Sequence, residues 1–170
     1  MNLFSIKIRI FFVRSKEESI CPFCGGSLTV KDSRDRCCID SRGYRHTLRI
    51  RRLRCKNCHK LHSELPDFIQ PYKQYVSSVI EAVLDGNKDT CPAEDSTMYR
   101  WTSWFSSSAT QIEGILRSLH TYFNQKSINL LTNTSLLLLI QKSGLGWLKN
   151  VMRQLTNSGN FIHTCFAFCP

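Results

Sequence analysis

Long apolar runs are scarce in this chain. The longest, SLLLLI at residues 135–140, falls far short of the roughly 20 residues a helix needs to cross a bilayer, so no membrane-spanning helix is expected. No secretory leader is expected either: Lys7 and Arg9 interrupt the opening MNLFSIKIRIFFVRSKEES, and no small-residue cleavage site follows. The alternation Ile6-Lys7-Ile8-Arg9-Ile10 reads instead as a β-strand. Carboxylates thin out toward the C-terminus, where Glu113 is the only acid after Phe105. Two-metal DNA strand chemistry gathers several carboxylates from a sheet and a helix around paired ions. Here the seven acids beyond residue 65 lie between Asp67 and Glu113, on expected linkers and helix ends. No glycine-rich phosphate loop is present, and Ser106 to Ser108, His120 and His163 form no nucleophile–base arrangement. The chain reads as non-enzymatic, with no small-molecule substrate; a fragment of a longer enzyme is the alternative.

What is present is cysteine, nine in all. With no leader and an odd count, a reduced, cytoplasmic setting is expected, where paired cysteines serve metals more often than disulfides. Cys21-x2-Cys24 and Cys55-x2-Cys58 stand thirty residues apart. Each CxxC turn can present two sulfurs to one ion, and two turns complete a tetrahedral shell. A thioredoxin-type redox pair would need a βαβ context, which is absent. One structural Zn²⁺ held by Cys21, Cys24, Cys55 and Cys58 is therefore expected, with no open position for catalysis. Gly25 and Gly26 let the first turn close tightly. His59 is the alternative to Cys58 as a ligand, and His62 is also near; Cys37 and Cys38 read as hairpin residues. Cys91, Cys165 and Cys169 receive no role.

Charge is the second positive feature. Net charge is +10, and residues 1–65 carry 15 Lys/Arg against 6 Asp/Glu. Six arginines crowd one short stretch: Arg42, Arg45, Arg49, Arg51, Arg52 and Arg54. In a strand Arg45, Arg49 and Arg51 share one face, and Ile50, Arg52 and Arg54 the other. Guanidinium forks suit phosphates and guanine edges, so nucleic acid is the expected partner, duplex DNA first and RNA as an alternative.

The fold class expected is α+β: a small β zinc ribbon over 1–65, a helix-turn-helix-like segment over 66–105, and a helical region over 106–170. Pro66 and Pro71 punctuate the first boundary. Tyr72, Tyr75, Val76, Val79, Ile80, Val83 and Leu84 recur at helical spacing, and Gly86 is placed to end that helix. A second helix is expected from Pro92 to about Phe105. It would bury Met98, Trp101 and Phe105 and turn Ser96, Tyr99, Arg100 and Ser103 outward, as a recognition helix does. Ser106 to Ser108 are expected to break it, with Ser108-x-x-Gln111 capping a third helix whose apolar face is Ile112, Ile115, Leu116, Leu119 and Phe123. A last helix is expected near 145–156. The run INLLTNTSLLLLI offers a surface for a protein partner or for self-association through the C-terminal helices.

CPFCGGSL, LRIRRLRCKNCHKLHSELPDFIQPYKQY and CPAEDSTMYRW resemble a bacterial family of uncharacterised proteins found beside mobile elements. The first part is similar to the N-terminal zinc ribbons of insertion-element transposases, at Arg51, Arg54, Cys55, Cys58, Leu65, Pro66 and Pro71. The likeness covers about residues 18–105. It implies DNA binding connected with transposition or its control, a nucleoid-associated place in the cell, and a transposase as a further partner. One departure is visible: DGNKDTC separates the two expected helices where a tight turn is usual.

Overall fold

The two longest strands grow from the two stretches richest in alternating β-formers and charge, LTVKDSRDRCCI and RHTLRIRRLRC. In the computed structural model, which describes residues 10–15, 18–123 and 134–158, they are β2 (Leu28–Ile39) and β3 (Arg45–Cys55). They pair antiparallel around the turn Asp40–Tyr44. Asp40 closes that turn by accepting from the Arg42 and Tyr44 amides, both at 2.9 Å, an Asx-type arrangement. β1 (Ile10–Phe12) lies parallel to β3, and β4 (Leu61–Ser63) pairs antiparallel with it. Of the strand expected at Ile6–Ile10, only Ile10 falls within the described residues, where it opens β1.

Among the described residues four helices follow: α1 (Ser77–Leu84), α2 (Asp95–Phe123), α3 (Leu136–Lys142) and α4 (Trp147–Asn157). The fold is thus α+β, a sheet first and helices after it. Among the described residues no helix is long and apolar enough to cross a membrane.

Two expectations about the helices are corrected. The first helix starts at Ser77 rather than Tyr72. The Val76 amide donates to Ile39 O and the Ile39 amide to Gln74 O, so residues 74–76 extend the ribbon sheet. Tertiary pairing here overrides a helical pattern. Nor does the second helix break at Ser106 to Ser108, because α2 runs unbroken for 29 residues. Its hydroxyls turn back on its own carbonyls, Ser107 onto Trp104 O at 2.9 Å and Ser118 onto Gly114 O at 2.9 Å. That satisfies them without ending the helix. Ser108 is buried instead of capping.

All four helices contribute to one core that includes Val79, Ile80, Trp101, Ile112, Leu116, Trp147, Leu148 and Val151. The division expected between 105 and 106 therefore has no counterpart in the packing, since α2 crosses it. Ile112 and Leu116 are buried as expected, whereas Phe123 is 74% exposed. The last helix stands where the sequence places it, with Trp147, Leu148, Val151, Met152 and Leu155 all buried. Gly146, at φ 88, offers α4 no side-chain cap. Buried Glu81 supplies one from α1, accepting from the Gly146 amide at 2.6 Å and the Leu148 amide at 2.9 Å. Glu113, the lone late acid, does the same for α3 through the Leu136 and Leu137 amides. Carboxylates at helix starts are favourable both as acceptors and as charges.

Candidate metal centre and basic ribbon

The four expected ligands come together. The Sγ atoms of Cys21, Cys24, Cys55 and Cys58 all lie within 4.8 Å of one another. Cys21 faces Cys58 at 3.6 Å and Cys24 faces Cys55 at 3.4 Å. A disulfide would need about 2.05 Å. A tetrahedron with metal–sulfur bonds of ~2.3 Å has edges of ~3.8 Å. The spacing fits a metal shell and excludes disulfide pairing among these four in this structure.

The two turns that present the sulfurs repeat one backbone pattern. In the first, the Cys21 amide donates to Gly26 O and the Gly25 amide to Cys21 O. In the second, the Cys55 amide donates to Lys60 O and the His59 amide to Cys55 O. Gly25 and His59 occupy the same place and share a left-handed backbone, φ 68 and φ 60. His59, the alternative ligand to Cys58, is thus a backbone-turn residue, and all four cysteines keep their places in the cluster. Gly26 is required sterically: a Cβ there would stand 2.8 Å from Asn57 Cγ and 3.1 Å from Cys55 Sγ.

The Cys58 and Asn57 amides point at Cys55 Sγ, at 3.5 and 3.4 Å. Led by the Cys58 amide, they hold the Cys55 thiol down to about 6 against its burial. Cys58 goes the other way, to about 11: the Lys60 amide works to lower it, but burial and the sulfurs of Cys21, Cys24 and Cys55 outweigh that amide. One thiolate forms readily while its neighbour resists a second negative charge. A metal ion held by the four sulfurs would resolve that conflict, because metals bind thiolates and release their protons. His62, on β4, brings Nε2 to 3.4 Å from Cys21 Sγ and its ring to 5.9 Å from that of Phe23. Burial, with Lys60 nearby, favours its neutral form. It is an outer partner of the cluster, a position the HKLH spacing alone does not reveal.

The six ribbon arginines divide into two groups. Arg49 makes two hydrogen bonds to Asp35, Arg51 two to Glu64, and Arg52 two to Asp32. These forks are occupied within the fold. Arg42, Arg45 and Arg54 are exposed and form no ion pair among the described residues. The pairing carboxylates escaped the sequence reading, although a hairpin closed at Asp40–Tyr44 sets Asp35 directly opposite Arg49. Asp32 was harder to find, since a register shift between Val30 and Asp32 brings it opposite Arg52.

On α2, Ser96, Tyr99, Arg100 and Ser103 are exposed, opposite buried Met98, Trp101 and Phe105. The connection from Asp85 to Glu94 is longer than the turn of about three to four residues in a helix-turn-helix. The hairpin tip adjoins the connection just ahead of this helix: a Cβ on Gly43 would lie 3.4 Å from Pro92 Cβ.

Residues 21–101 match the family model described as a domain of unknown function, DUF6431. That stretch runs from the first cysteine of the cluster to Trp101 on α2. No curated protein and no solved structure matches the chain.

Proposed function

We propose that this chain is a zinc-dependent, non-catalytic protein that binds duplex DNA, in the service of transposition or its control. The observation that carries the reading is the hairpin tip. It bears Arg42 and Arg45, exposed and, among the described residues, without ion pairs, and it rests against Pro92, just ahead of the helix bearing Ser96, Tyr99, Arg100 and Ser103. A four-cysteine cluster braces the far end of the same hairpin. Four soft donors in a closed tetrahedral set favour zinc in a structural role. Arg42, Arg45 and Arg54 contact phosphates in this reading, while Arg49, Arg51 and Arg52 chiefly hold the ribbon together. The link to transposition rests on the likeness of the ribbon to transposase zinc modules.

Metal analysis should return about one zinc per chain, and Cys55→Ser should abolish it. Fluorescence anisotropy with a labelled duplex should show binding that weakens steeply with salt and disappears on chelation. Arg42→Gln/Arg45→Gln should weaken it while leaving zinc content unchanged. No binding at low salt with zinc present would overturn the reading; preference for RNA in competition would redirect it.

A second reading, docking to a transposase or to another copy through the C-terminal helices, draws on apolar side chains left outside. Tyr122 is 76% exposed, Leu138 54% and Leu139 43%. Tyr122→Ser/Leu138→Ser should then abolish capture of the transposase, or self-association, and leave DNA binding intact.

A further inference from the structure

The junction between ribbon and helices holds three cations that neither the sulfur cluster nor the hairpin tip uses. Arg36, on β2, is half-buried, and its guanidinium donates to Gln70 O at 2.8 Å and Lys73 O at 2.7 Å. Lys73 sets its ammonium over the Trp104 ring, 4.4 Å from the centroid. Arg100 lies on the same helix, one turn before Trp104. Its guanidinium bonds only to its own helix, at Ser96 O (3.2 Å) and Thr97 Oγ1 (2.8 Å). Among the described residues, none of the three cations has a carboxylate within ion-pair distance. In the ribbon, by contrast, three arginines carry bidentate acid partners.

The backbone is bent to make this arrangement. Tyr72 adopts φ 61, a left-handed conformation that is strained for a residue with a β-carbon. The turn at Tyr72 lets Lys73 offer its carbonyl to Arg36 while its ammonium reaches α2. Lys73 is held down to about 8, first by burial and then by Arg100. Lys73 is half-buried and Arg100 exposed; keeping the Lys73 ammonium partly out of water near a like charge, without an anion, is unfavourable, and an anion between them relieves it.

We infer that Lys73 and Arg100, backed by Arg36, form a seat for one or two phosphates of the duplex backbone, beside the α2 face and apart from the hairpin tip. This rests on the DNA-binding reading above and adds where the backbone is gripped. Arg100 offers a planar fork, Lys73 a point charge, and Arg36 fixes the loop that carries Lys73. Because phosphates are common to all sequences, this seat contributes affinity and register, not base choice.

The test is the dependence of log K on log salt for a labelled duplex. Lys73→Gln/Arg100→Gln should reduce the steepness of that line by about 2 and weaken binding equally on unrelated sequences. The charge-keeping Lys73→Arg/Arg100→Lys should retain the wild-type slope. Should the neutral double variant lose helical circular dichroism, Arg100→Gln alone, at an exposed position, should lower the slope by about 1. An unchanged slope in a folded neutral variant overturns the seat while leaving the DNA reading standing. Equal loss in the charge-keeping variant also overturns it, by assigning both residues to packing. Absence of wild-type binding removes the reading and the seat together.

Discussion

The ribbon and the helical bundle stabilise themselves by different physics. The bundle buries sixteen residues in one apolar cluster, with three tryptophans among them. Burial at ~25 cal/mol per Å² makes such a core self-sufficient. Among the described residues the ribbon's own cluster has four, Cys38, Leu48, Ile50 and Ile69. What it lacks in apolar burial it replaces with four sulfurs at one end and cross-strand arginine–carboxylate forks along its length. The bundle's key acids, Glu81 and Glu113, point at helix amides. The ribbon's acids, Asp32, Asp35 and Glu64, point at guanidiniums. A small β-module with an exposed basic surface has little room for a core, so ligation and ion pairs do that work.

That contrast breaks first under chelation. Apparent zinc binding to small thiolate modules is worth on the order of 10–16 kcal/mol at neutral pH, so metal removal or Cys55→Ser should unfold the ribbon. The tryptophan fluorescence and helical dichroism of the bundle should persist. Simultaneous loss of both signals would mean that the regions share one cooperative unit.

Glu81→Ala is the matching insult to the bundle. It leaves the Gly146 and Leu148 amides without their acceptor, for an expected loss of about 2–4 kcal/mol by denaturant titration. Zinc content should not change. A loss below about 0.5 kcal/mol would show that water replaces the carboxylate.

Two substitutions in the sulfur turns act in opposite directions. Gly26→Ala drives a methyl group toward Cys55 Sγ and should lower metal affinity on the order of tenfold in competition with a chromophoric chelator. His59→Gly removes a left-handed strain that Gly25 already avoids in the sister turn, and should stabilise the ribbon by about 1 kcal/mol. Loss of metal on His59→Gly would instead make the imidazole a ligand.

The smallest effect is acid sensitivity. The guanidiniums of Arg52, Arg49 and Arg51 hold Asp32, Asp35 and Glu64 below the ordinary carboxylate range. Their folded pKa values lie under the unfolded ones. The stabilisation they bring is therefore complete above about pH 4–4.5 and lost as pH falls through the lowered values. With Asp35→Asn, the ribbon's unfolding midpoint should become less dependent on pH in that window. The variant also frees Arg49, so under the proposed DNA-binding reading the affinity for duplex should rise slightly. A midpoint whose pH dependence is unaltered would deny the pair any part in stability.

Much of this architecture was legible beforehand. The CxxC spacing located all four sulfurs, because two such turns have one common way to converge. The period of α4 located its buried face, because nothing else competes for those side chains. The start of α1 and the length of α2 were not legible. Residues 74–76 are drawn into the sheet by Ile39, and serine hydroxyls fold back on the helix they were expected to end. Both outcomes depend on partners distant in sequence or on rotamers, neither of which a periodicity records.

By itself, then, the sequence determined the α+β order, the cysteine cluster and the basic character of the ribbon, since these follow from local spacing and composition. Only the tertiary structure decided which arginines remain available. Register sets Asp35 and Asp32 against Arg49 and Arg52, β4 brings Glu64 to Arg51, and packing brings Arg36 to the Lys73 carbonyl and Lys73 to α2, with no ion-pairing acid on either among the described residues. A charge's freedom depends on its neighbours in space, and those neighbours come from strands and helices that meet only when the chain folds.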